Sequence, residues 1–211
     1  MDLDPDRRLA LAYVPAAVRP AVEVLWRLDV AFAAILATGT QPIISQMRLA
    51  WWREALERLD NAPPPAEPVL QGLAAHVLPQ VTGAELAAME EGWLMLLSDD
   101  ALTTDELDLY AAKRGGLLFA YTARLLGDSD FPVAGAGEAW ALADLVRHSR
   151  RVDEIRTPLP GPKTKWPRRL RPLGMLAMLA RRDLKNIGQG PEKSGSPARM
   201  LRMIRHRMSG N

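Results

Sequence analysis

Residues 13–35 read YVPAAVRPAVEVLWRLDVAFAAI, and this stretch decides the fold. From about Ala17 to Ala37 its apolar residues, Val22, Leu25, Trp26, Ala33 and Leu36, recur at helical spacing until Gly39 stops them. The helix is almost uncharged along its second half, where Asp29 is the only acid.

Working outward, the same period recurs almost everywhere, and strand-like alternation is missing. Asp4 before Pro5 caps a short opening helix. A second long helix is predicted from Pro42 to about Leu59, ended by the prolines of NAPPPAEP. Thr82 with Glu85 and Thr103 with Glu106 have capping-box spacing and predict helices over about 83–98 and 104–126, the latter closed by Gly127. Further helices are predicted over about 134–151 and 173–186. The expectation is an all-α, single-domain bundle over 1–187, a flexible linker over 188–197 (GQGPEKSGSP) and a basic amphipathic helix over 198–211.

A length of 211 residues suits one core, and no window approaches a membrane span. Cysteine is absent, which excludes disulfides and thiolate chemistry and fits a reducing compartment. The acidic start MDLDPDRRLA is unlike a signal peptide, so a cytoplasmic location is expected. The net charge of +2 hides an asymmetry: residues 1–140 carry 10 Lys+Arg against 20 Asp+Glu, and residues 141–211 carry 17 against 5. The basic third faces an anion, whether lipid headgroup, diphosphate, nucleic acid or the acidic part of its own chain.

In MRLAWWREALE, residues 47–57, Met47, Ala50, Trp51 and Ala55 fall on one face while Leu49, Trp52, Leu56 and Leu59 share another. The helix is therefore expected to be covered on two sides. His76 and His206 are isolated and expected to be solvated, and Asp144 and His148 share a helix face as a polar pair or half of a two-ligand metal site.

These segments together resemble the squalene/phytoene synthase family. YVPAAVRPAVEVLWRLDVAFAAI and MRLAWWREALE resemble its first two long helices, YAAKRGGLLFAYTARLLG (110–127) its central helix, and GEAWALADLVRHSRRVDEIRTPLP (137–160) the helix bearing its second aspartate-rich motif. The resemblance implies the isoprenoid synthase fold, shortened at the C-terminus, with an apolar cavity. Trp26, Trp51, Trp52, Phe119 and Tyr121 are the aromatic residues placed there, although paired tryptophans at helical spacing are more often core.

The family's active members join two prenyl diphosphates, using Mg²⁺ held by a DxxxD pair on each of two facing helices to neutralise the leaving diphosphate. This chain departs from both motifs. Val30 to Ile35 contain no acid, and on the later helix Arg147 matches the family arginine while His148 and Val152 stand at the aspartate positions. Asp153 and Glu154 are adjacent and point in different directions, so they do not rebuild a chelating pair. No metal, cofactor or catalytic residue is expected, with Mg²⁺ required only under the alternative reading of an active prenyltransferase. Arg147, Arg150, Arg151, Lys113 and Arg114 are the candidates for binding a diphosphate directly, against the plain reading of solvated helix-end arginines.

The pattern resembles the non-catalytic branch that contains a respiratory complex I assembly factor. That implies a protein partner in a membrane complex or a prenyl lipid. The basic, Met-rich last helix adds an anionic membrane surface, which would place the protein peripherally on the inner face of the membrane, or else it packs on the bundle. Nucleic acid is not expected, since no aromatic residues interleave with the basic ones of the tail.

Overall fold

The computed structural model describes residues 2–39, 41–98, 100–148, 165–187 and 192–211. Among these the chain is all-α. The elements are α1 (Pro5–Ala12), α2 (Arg19–Thr38), α3 (Pro42–Arg58), α4 (Pro68–His76), α5 (Gly83–Ala87), α6 (Glu90–Leu94), α7 (Thr104–Tyr110), α8 (Leu117–Leu125), α9 (Ala134–His148), α10 (Arg171–Lys185) and α11 (Pro197–Ser209).

Helix α2 is the hub. Its buried residues, among them Val22, Leu25, Trp26, Leu28, Asp29 and Phe32, cover more than half of its circumference, leaving a stripe with Glu23 and Arg27 toward solvent, and α1, α3, α4, α6 and α8 all pack on it. Trp26 is anchored rather than merely packed: its indole N–H donates to Thr122 Oγ1 at 3.0 Å, and that hydroxyl donates to the Leu118 carbonyl. Beside α2 runs one continuous helical rod, α7 to α8, joined by a π-helical turn over Ala111–Gly116. This rod crosses α9 at Gly115 and Gly137, where a Cβ on either glycine would lie about 2 Å from the other's carbonyl oxygen. Only hydrogen fits there, so the two glycines set the depth of the crossing. Helix α10 closes the far side against α9, and α11 lies on α10 and α1.

Several expectations are corrected. The helix expected over 83–98 is broken at Ala88 and Met89, where the Met89 N–H donates to the Leu86 carbonyl, three residues back, at 3.2 Å, and a 3₁₀ turn at Met95–Leu97 ends the segment. Helix α4 was not foreseen, although Pro68 stands in its first turn and the Glu67 carboxylate accepts from the Leu70 N–H at 2.8 Å. Helix α3 is covered on one side only: Leu49 and Leu56 are buried, whereas Met47 and Trp51 are 63% and 47% exposed. His206 is buried rather than solvated, in a niche beside Trp166 that exists because residue 174 is glycine; a Cβ there would meet its Nε2 at 2.2 Å. Of the expected linker, residues 188–191 lie outside the described residues. The remainder is held down, the Gly195 N–H donating to Asp6 and the Ser196 hydroxyl capping α11.

Candidate functional site

A cavity of about 550 Å³ opens between α2, the α7–α8 rod, α9, α10 and the N-terminal segment. Much of its wall is apolar, with Val30, Leu36, Leu96, Leu176 and Leu179 among the lining residues. That size suits a drug-sized or lipid ligand.

The deep wall carries a buried ionic cluster. Asp29, fully buried on α2, accepts from Arg114 Nε at 2.8 Å through one oxygen and from Arg7 Nη1 at 2.9 Å through the other. Arg114 reaches on to Asp144 of α9, Nη2 to Oδ2 at 2.7 Å, and donates to the Tyr110 hydroxyl. Its guanidinium lies 4.2 Å from the ring centre of Trp93 and 5.0 Å from that of Trp140, while Arg7 covers Trp140 at 4.8 Å. The π turn makes this possible, since Arg114 sits in it and is directed inward at a point where a regular helix would have continued its register.

The electrostatics follow from this pairing. Burial pushes the Asp144 carboxyl up, but the Arg114 charge and the His148 hydrogen bond outweigh it and hold the group well below the usual carboxylate range. Burial opposes the Arg114 charge too, and Asp29, then Tyr110 and Asp144, keep its proton bound more tightly than usual. Burial raises the Tyr110 phenol to about 12, so the ring stays neutral.

A second cluster forms the rim. Arg199 of α11 bridges Asp6 of α1 at 2.9 Å and Asp183 of α10 at 2.7 Å. Arg147 of α9 also pairs with Asp183 and donates to the Glu192 carbonyl at 3.1 Å. His148, 68% exposed at the mouth, lies 3.3 Å from Asp144. That hydrogen bond raises its pKa.

Of the residues expected to bind a diphosphate, Arg114 and Arg147 line the cavity, and both are already paired with carboxylates. Lys113 points elsewhere and pairs with Glu91 at 2.7 Å. Arg150 and Arg151 lie outside the described residues, as do Val152, Asp153, Glu154 and the Pro-Leu-Pro. The five aromatic residues expected in the cavity wall do not line this one. Trp26, Phe119 and Tyr121 are core, Trp52 packs edge-on against Phe32, and Trp51 faces outward. Trp93, Tyr110 and Trp140 line it instead, together with Arg7, Asp183 and Arg199, none of which was singled out from the sequence. One signal was present: Asp29 is the only acid in the apolar second half of α2, which demands a buried partner.

The described residues of the cavity do not suit a magnesium–diphosphate centre. Mg²⁺ requires carboxylate oxygens free to coordinate it. Here Asp29 and Asp144 are held by arginine, as are Asp6 and Asp183, and among the described residues no three acidic or histidine side chains gather into a metal site.

The described residues thus form an all-helical bundle around a largely apolar cavity with a charged inner wall. The squalene/phytoene synthase family profile matches residues 2–161, and the chain belongs to that family. No curated protein and no solved structure matches it. Among the described residues, no helix is long and apolar enough to cross a membrane.

Proposed function

We propose that this chain is a non-catalytic member of its family that works by binding, either holding a prenyl lipid or serving as an assembly factor for a respiratory membrane complex. The observation that carries the reading is Arg114. Its guanidinium sits between Asp29 and Asp144, so the two helices that would present metal-binding acids present a closed salt bridge. Ionising an allylic diphosphate requires its departing charge to be neutralised, and the paired arginines have little left to give. The C-terminal helix supports a contact with an anionic membrane surface. Its inner face is fixed by Arg199, Met203 and His206, leaving Leu201 and Met208 69% and 77% exposed beside Arg205.

The test is incubation of purified protein with farnesyl or geranylgeranyl diphosphate and Mg²⁺. The expected result is no squalene-like or phytoene-like hydrocarbon. Formation of either would establish the alternative reading, an active prenyltransferase.

A further inference from the structure

We propose that the cavity takes an uncharged lipid bearing a hydrogen-bond acceptor at its head, and discriminates against the diphosphate ester of the same chain. This rests on the binding reading above and names the ligand class.

The first argument is charge. Among the described residues that line the cavity there are four arginines, Arg7, Arg114, Arg147 and Arg199, against five aspartates, Asp2, Asp4, Asp6, Asp144 and Asp183. Asp29 stands directly behind them. Each arginine is already engaged by at least one carboxylate. A diphosphate entering this space would meet, among the described lining residues, more carboxylate than guanidinium charge. To gain an arginine it would have to strip that residue from a buried acid, leaving the acid uncompensated in a weakly polarisable wall. An uncharged head incurs neither penalty.

The second argument is an unanswered donor. Trp93 is 3% exposed and forms part of the cavity wall, yet its indole N–H, which can only donate, is buried without a partner. The Ser194 hydroxyl, also on a lining residue, is buried and unpartnered too. Buried polar groups are nearly always satisfied, and these two, closed off from the cavity space as it stands, are answered by a ligand group once the ring and the hydroxyl turn toward it. The indole requires an acceptor, such as a hydroxyl, carbonyl or ether oxygen. The hydroxyl accepts that or a donor equally. The remaining wall, with Val30, Leu36, Leu176 and Leu179, provides for an apolar chain.

The experiment compares farnesol with farnesyl diphosphate on the full-length protein, with and without Mg²⁺, by calorimetry and by quenching of tryptophan emission, since Trp93 and Trp140 are in the wall. The two probes share a chain and differ in head-group charge. Farnesol is expected to bind at least tenfold more tightly, with an affinity insensitive to NaCl. Trp93→Phe keeps the ring over Arg114 and deletes the donor, and is expected to weaken farnesol about fivefold. Ser194→Ala removes the other unpartnered group and is likewise expected to weaken farnesol severalfold. Equal or tighter binding of the diphosphate, or no binding of either probe, would overturn the inference. Conversion of the diphosphate to hydrocarbon would instead overturn the non-catalytic reading, so the two failures are separable.

Discussion

The two ionic clusters of the cavity are built from the same residue types and differ in what surrounds them. The deep one, Arg7–Asp29–Arg114–Asp144, joins α1, α2, the π turn and α9 around a centre, Asp29 and Arg114, that is only 0% and 2% exposed, with Arg7 8% and Asp144 21% exposed at its edges. The rim cluster, Asp6–Arg199–Asp183–Arg147, joins α1, α9, α10 and α11 with side chains between 3% and 15% exposed. A charge without water depends wholly on its partner, whereas one near the mouth can be rehydrated when its partner is lost. The deep cluster therefore bears on whether the bundle folds, and the rim cluster on whether one helix stays docked.

The sharpest way to break that distinction is Arg114→Leu. It leaves buried Asp29 with Arg7 as its remaining arginine and takes the arginine from Asp144, and is expected to cost about 3–5 kcal/mol in urea unfolding. Asp29→Leu with Arg114→Leu should recover much of that loss, and a double variant no better than the single one would mean that the under-compensated Asp29 charge is not what destabilises the bundle. Next in size is Gly115→Ala, which forces its methyl group against the Gly137 carbonyl and should cost about 1–3 kcal/mol by thermal melting. Arg199→Leu is expected to cost about 2 kcal/mol, because charge-assisted hydrogen bonds are lost but Asp6 and Asp183 can find water. Its distinctive readout is limited proteolysis: cleavage before α11 should appear while the rest of the domain stays intact.

A smaller effect follows from His206. Burial lowers its pKa below the ordinary 6.5, so the unfolded chain takes up a proton that the folded one does not. Stability is thus unaffected well above 6.5 and falls as pH drops through and below that value. A melting-temperature series from pH 8 to pH 5 should show this decline, and His206→Gln should flatten it. Smallest of all, Trp51→Ser on the outward face of α3 should change stability by no more than about 0.5 kcal/mol; a larger loss would show that this face is covered.

Much of the architecture could be read from the chain, because helix periods and caps are local. The capping boxes at Thr82 and Thr103 form as their spacing implies, each hydroxyl accepting from the glutamate N–H three residues on. The family likeness rested on the order of such segments. The deep cluster was not legible, because Arg7, Asp29, Arg114 and Asp144 are scattered over 138 positions and meet only through the crossing at Gly115 and Gly137. Trp51 and Trp52 misled for a related reason: helical spacing says which residues share a face and not whether a neighbour covers it. His206 looked like one more polar residue in a basic tail until Gly174 opened a niche for its ring.

The π-helical turn at Ala111–Gly116 also sets a rule for length. One surplus residue is absorbed there inside an otherwise continuous rod, and each residue of an α-helix advances the phase by ~100°. Removing a single residue from the turn would swing every side chain from Leu117 to Leu125 to a new azimuth. Phe119 would leave Trp140, and Tyr121 would leave the Glu85 carbonyl to which its hydroxyl now donates. Insertions between Asn61 and Glu67 would have no such lever. This rod should accordingly keep a fixed residue count among related chains while the proline-rich loop varies freely.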